Sequence, residues 1–141
     1  MTVNEFMTND HRHCDEQFAE VENSVDSGNF EASNILFKEF KDHMLKHFQM
    51  EEEVMFPEFN ENGDGHCNPT GVMIMEHDQM RTLLDQMSEA LKDQNKQKFL
   101  GLSENLLFVM QQHNMKEEQI TYNMVDSSLD SDDIIKKMSA L

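Results

Sequence analysis

The chain has 141 residues, room for one domain with a real core, and carries 28 acidic against 11 basic side chains, a formal net charge of −17. Phosphate backbones and anionic membrane surfaces repel such a charge, so a nucleic-acid or membrane partner is not expected, whereas cations suit it. Five glycines, two prolines, no tryptophan, 13 methionines and 10 phenylalanines describe a helical protein with Met and Phe filling its core.

The first helix is expected over Asn4 to Ser27. Its apolar stripe is Met7, His11, Cys14, Phe18, Val21 and Val25, at alternating spacings of four and three. Ser27-Gly28-Asn29 breaks it. The second helix is expected over Phe30 to Phe56, with Leu36, Phe40, Met44, His47, Glu51 and Val54 on one face, and Pro57 ends it or lies just beyond. A glycine-rich loop follows, Asn60 to Pro69, holding Gly63, Gly65, His66 and Cys67. The third helix is expected over Thr70 to Asp93, with Met73, His77, Met80, Leu84, Met87 and Leu91 aligned. The fourth runs over Asn95 to Met124, with Phe99, Leu102, Leu106, Val109, His113, Glu117 and Ile120. The Ser/Asp-rich residues 126–133 interrupt the pattern, and a tail, Ile134 to Leu141, is long enough for one or two helical turns. Four such helices joined by short links predict one all-α domain over 1–141: an up-down-up-down antiparallel four-helix bundle with a short C-terminal tail.

Each apolar stripe carries a histidine: His11, His47, His77 and His113. Two stripes also carry a glutamate four residues later, Glu51 and Glu117, and that spacing puts both side chains on one helix face, one turn apart. A lone histidine on an apolar face is usually a satisfied core residue, but a buried glutamate costs several kcal/mol unless paired. In antiparallel helices all six fall at one level. Four imidazoles and two carboxylates there cannot all satisfy one another, and a pair of divalent cations would use them. The Glu-x-x-His pairs of ferritin-like sites and the HExxH of zinc proteases are both absent.

Several neighbours are ambiguous. His43, one turn before His47, is either an additional ligand or a rim residue. His13 is the alternative to His11, off the stripe. His66 reads as loop. Arg81 either pairs with a carboxylate near His77 or forms a surface ion pair. Tyr122, one turn after Glu118, either approaches the site or lies outside it. Cys14 and Cys67 form no CxxC. Met1 to Asp10 has neither a basic start nor an apolar run, and no stretch is long enough to span a membrane. Reduced thiols in a cytoplasmic protein are therefore expected.

The stretches DHRHCDEQFAEVE, HFQMEEEVMFPEF, MEHDQMR and QQHNMKEEQITYNMVD, spread over residues 10–126, resemble the hemerythrin-like HHE cation-binding family. The resemblance implies a non-haem di-iron centre of two Fe ions, oxo- or hydroxo-bridged. His11, His47, His77 and His113 would be terminal ligands, and Glu51 and Glu117 the bridging carboxylates. Oxygen-carrying members use a fifth histidine, one turn before the third-helix ligand, where this chain has Met73, and an H-x-x-x-x-D on the fourth helix. Here Glu117 stands at +4, with Glu118 at +5 as a substitute. A position left open in this way implies a binder of O2, NO or peroxide in sensing or stress defence. The competing expectations are a di-iron enzyme reducing those ligands with a protein redox partner, and an iron donor for iron-sulfur centre repair.

Overall fold

A computed structural model describes residues 1–62 and 69–141. The expectations for Gly63, Gly65, His66 and Cys67 lie outside the described residues. The described chain is all-helical: α1 (Val3–Asp26), α2 (Phe30–Met50), α3 (Phe56–Asn62), α4 (Thr70–Lys92), α5 (Lys96–Lys116), α6 (Tyr122–Ser128) and α7 (Ser131–Ser139). None of the described helices is long and apolar enough to cross a membrane.

Helix ends follow local chemistry. At α1, Thr2 accepts from the Glu5 amide while the Glu5 carboxylate returns to the Thr2 amide, a reciprocal capping box. Asp126 binds the Val3 and Asn4 amides at 2.7 and 3.1 Å and so fastens the start of α1 to α6. The α1–α2 and α4–α5 connections share one design. Gly28 (φ 77) and Gln94 (φ 50) take the left-handed conformation after the helix, and the next residue, Asn29 or Asn95, bonds back to Ser24 or Ala90. Those asparagines then cap the following helix through Ala32 and Lys98.

Two widened turns interrupt the helices. The Phe56 amide bonds the Glu51 carbonyl and the Tyr122 amide bonds the Glu117 carbonyl, five residues back in each case. Each is a π turn, Glu51–Met55 and Glu117–Thr121, holding one more residue than an ordinary turn. The second helix therefore does not end at Pro57. The chain continues as α3 to Asn62, because the π turn has already shifted the hydrogen-bond ladder where proline's missing donor falls. The fourth column likewise runs past Met124 to Ser128, and Leu129 breaks it in an extended conformation. The C-terminal tail is a docked helix, α7, capped by Asp130, with Ile134 and Met138 buried.

α1 packs on α2 and α5, and α4 packs on α5 and α2, closing a ring of four columns. Along every column the interior has three levels. Phe18, Phe40, Leu84 and Leu106 belong to a large apolar cluster near the two short turns. A polar level follows. Beyond it lies a second apolar cluster with Met7, Met55, Met73 and Val125, closed from below by Ile134 and Met138 of α7.

Candidate metal centre

The polar level holds His11, His47, Glu51, His77, His113 and Glu117, each at most 4% exposed. His11 precedes Cys14 on α1 and His77 precedes Met80 on α4, while His47 follows Met44 on α2 and His113 follows Met110 on α5. The 3.6-residue period that aligns the apolar side chains therefore aims all four rings inward at one depth. His13 is exposed. His43 is half-buried and bonds Asp10 and Gln17 at 2.8 and 2.6 Å, facing away from the centre, so it adds no donor there.

The six residues fall into two halves sharing the carboxylates. In one, His77 Nε2 lies 3.1 Å from Glu51 Oε1, and His113 Nε2 lies 3.1 Å from Glu117 Oε1. In the other, His11 Nε2 faces His47 Nε2 at 3.1 Å and Glu117 Oε1 at 3.2 Å. Four buried atoms of this constellation, Glu51 Oε1, His77 Nε2, His113 Nε2 and Glu117 Oε2, have no hydrogen-bond partner, since the close approaches are not aligned for hydrogen bonding. Orphaned buried polar atoms of this kind are costly unless something else satisfies them, and two groups of these side chains, Glu51/His77/His113/Glu117 and His11/His47/Glu117, each bring their ligand atoms close enough to grip one cation.

The outward nitrogens form a second pattern. Every Nδ1 meets a carboxylate on the preceding column: His47 on Asp10 at 2.6 Å, His77 on Glu52 at 2.6 Å, His113 on Glu76 at 3.0 Å and His11 on Glu118 at 2.8 Å. These pairings run α1 to α2 to α4 to α5 and back to α1, a closed ring. Each carboxylate is the sequence neighbour of one inward residue and supports the histidine of the next column. Arg81 holds Glu52 at 2.7 Å while lying over the Phe48 ring, and Lys116 holds Glu76. Carboxylate-backed imidazoles are oriented and made more basic towards a metal on their other nitrogen.

Electrostatics splits each half: against burial, carboxylates raise His11 and His113, while burial lowers His47 and His77. Burial pushes His11 down, but hydrogen bonds and charge from Glu117 and Glu118 outweigh it and hold the ring at about 9. Burial, with the His113 cation, pushes His77 down to about 4. Burial raises Glu51, reinforced by the Glu117 charge. Burial is overcome at Glu117 by the charge on His113, 3.1 Å away, and its carboxyl is lowered. The two carboxyls are thus pushed apart, Glu51 upward and Glu117 downward.

Tyr122 is completely buried in the centre of the His11 half, 2.9 Å from Glu117 Oε1 and 3.0 Å from Glu51 Oε2. In a regular helix a residue five after Glu117 would point about 140° away. The π turn brings the two side chains onto one face. The same turn puts Ile120 outside, 52% exposed, where even periodicity placed it inside. Asp10, Glu52 and Glu76 also escape a stripe reading, because each sits one position off it. The usable signal is that a carboxylate adjacent to an inward ligand projects to the seam with the neighbouring helix.

The family model for the hemerythrin HHE cation-binding domain matches residues 2–125, nearly the whole chain. The chain belongs to this family of cation-binding helical proteins. No curated protein and no solved structure matched it.

Proposed function

We propose that this chain is a non-haem di-iron protein that takes up a small ligand, O2, NO or peroxide, at an open iron position. The observation that carries the reading is the double pairing of all four histidines, Nδ1 on a carboxylate and Nε2 turned into a buried level that contains orphaned donors. His77 and His113 with Glu51 and Glu117 would hold one cation, and His11 and His47 with the same two carboxylates the other. Imidazole with carboxylate suits iron better than the all-oxygen shells that calcium and magnesium want. When bound, iron supplies redox chemistry and a position for a small ligand. The closed ring α1–α2–α4–α5 and its short reversals support an up-down-up-down antiparallel four-helix bundle as the frame.

The protein's own part is preorganisation. The ring of outer carboxylates fixes the imidazoles, the two apolar clusters keep water from the polar level, and Glu51 and His11 give up their protons as positive charge arrives. A cavity of about 10 Å³, room for one water-sized body, borders His11 and His47 and is otherwise lined by Cys14, Met44, Phe48, Met80, Met110 and Asn114. Its apolar wall favours a small uncharged ligand. The depth of the site beneath α7 favours retention of metal over its donation. The buried free thiol of Cys14 supports a reducing, cytoplasmic setting. A role in sensing or stress defence follows from such a ligand, with electrons from a protein redox partner wherever turnover occurs.

The test is anaerobic loading with ferrous iron, metal counting, and optical spectra on adding O2, NO and peroxide separately. Two irons per chain and a ligand-dependent spectrum are expected. A stoichiometry well below two, with His47→Ala indistinguishable from wild type, overturns the reading. Catalytic consumption of peroxide or NO would move it to the enzyme class.

A further inference from the structure

We infer that Tyr122 supplies its phenol oxygen as an additional protein ligand to the cation held by His11 and His47, so that the two metal positions are unequal. The inference rests on the two-metal reading above and deepens it.

The argument is one of spacing. Around an octahedral cation with bonds of about 2.1 Å, adjacent donors lie about 3.0 Å apart and opposite donors about 4.2 Å. Taken in pairs, His11 Nε2, His47 Nε2, Tyr122 Oη and Glu117 Oε1 show this pattern. His11 to His47 is 3.1 Å, His11 to Tyr122 3.1 Å, His47 to Tyr122 3.2 Å, Tyr122 to Glu117 2.9 Å and His11 to Glu117 3.2 Å, while His47 to Glu117 is 4.0 Å. Five edges match adjacent positions and the sixth matches an opposite pair. Glu51 Oε2, 3.0 Å from the phenol oxygen, stands at a further adjacent distance. A tyrosine serving only as a hydrogen-bond donor needs one acceptor at this distance. Tyr122 has four such neighbours, drawn from three helical columns, and every one is a candidate metal donor.

The other half contains nothing comparable. Its orphaned atoms are His77 Nε2, His113 Nε2, Glu51 Oε1 and Glu117 Oε2, and one turn before His77 the chain offers the thioether of buried Met73. Tyr122 owes its place to the π turn that begins at Glu117, so ligand and phenol are delivered by one local feature. A cation held there would take the phenol as phenolate, its proton being released to solvent. No electron is transferred in this step.

Tyr122 is the sole tyrosine of the chain, which makes the test direct. Wild type and Tyr122→Phe are loaded anaerobically with ferrous iron, counted for metal, then oxidised with ferricyanide. The expected result for wild type is a broad visible tyrosinate-to-iron(III) charge-transfer band, with tyrosine ring vibrations enhanced under Raman excitation within it. Tyr122→Phe loses both signals and binds its weaker iron at least about tenfold less tightly. Two irons in wild type without the band overturn the assignment and leave the di-iron reading standing. Failure of wild type to hold two irons overturns both. Should Tyr122→Phe fail to fold, the wild-type spectrum decides alone, because no other residue can give a tyrosinate band.

Discussion

The two interior regions of this bundle are built on opposite terms. Near the short turns, Phe18, Phe37, Phe40, Leu84, Met87, Phe99 and Leu106 pack as an apolar mass without imidazoles or carboxylates, with the buried hydroxyl of Ser33 bonded to Ser24 and the Asn29 carbonyl and that of Ser103 without a partner. One level away, four imidazoles and two carboxylates are buried just as deeply, with orphaned atoms among them. The first region stabilises the fold. The second draws on that stability to hold a preorganised site, the arrangement expected where function rather than packing selects the residues.

The largest expected effect tests whether the polar level is one site or two. Glu117 touches both halves and His77 only one. Glu117→Gln should lose both metals and His77→Gln about one, as counted on chelator-cleared, reloaded protein. Equal losses would break the division into halves. Next comes Phe40→Ala in the apolar region. It should cost the metal-free protein about 3–5 kcal/mol in urea melts while leaving the metal count at two. Metal lost in proportion to stability would show the regions to be coupled.

A smaller effect separates the two rings within each half by pH in the metal-free protein, His11 and His113 being raised and His47 and His77 lowered. His11 is held at about 9 against an ordinary 6.5, so the folded state binds the extra proton. Its contribution is full below 6.5 and is lost as pH rises towards 9, with raised Glu51 acting in the same direction. His77 is held at about 4, so the folded state refuses a proton that the unfolded chain accepts, and stability falls as pH drops from 6.5 towards 4. Each limb should slope by up to about 1.4 kcal/mol per pH unit per group. His11→Gln should make the alkaline limb shallower, leaving the part owed to His113 and Glu51, and should leave the acid one, and a profile unchanged by it would refute the assignment. Smallest of all, Gln94→Gly relieves the left-handed conformation that Gly28 already meets in the matching turn. It should raise the unfolding free energy by about 0.5–1 kcal/mol without touching the metal count.

How much of this was legible in the sequence depends on where the helical period held. From Met7 to Val25 on α1, and from Met73 to Leu91 on α4, the stripe reading names buried residues throughout. It therefore aims His11 and His77 correctly, and it separates His11 from exposed His13. On the second and fourth columns it errs slightly, since Phe37 rather than Leu36 is buried, and Ser103 and Met110 rather than Leu102 and Val109. It failed beyond Glu51 and Glu117, where each π turn adds a residue that no fixed spacing anticipates. A fixed spacing makes Pro57 the end of the second helix or a residue just beyond it, puts Ile120 in the core, and measures Tyr122 from Glu118, whereas the helix continues to Asn62, Ile120 is exposed and Tyr122 bonds Glu117. The ring Asp10–His47, Glu52–His77, Glu76–His113 and Glu118–His11 was hidden for another reason. It is a property of four helices together, and a single stripe contains no information about its neighbour.

The π turns also bear on how such a site can change over generations. Each behaves as a one-residue insertion absorbed within a helix, after which everything downstream is rotated by about 100° while the column keeps its direction. Removing one residue between Glu117 and Tyr122 and closing the π turn would leave the phenol four residues after Glu117, on the same face, whereas regularising the turn without a deletion would swing the phenol out of the polar level and carry Val125 with it, leaving His113 and Glu117 where they are. Length and turn type at this place therefore decide together whether a donor reaches one metal position without redesigning the bundle: a residue gained leaves the phenol inside only where a widened turn absorbs it.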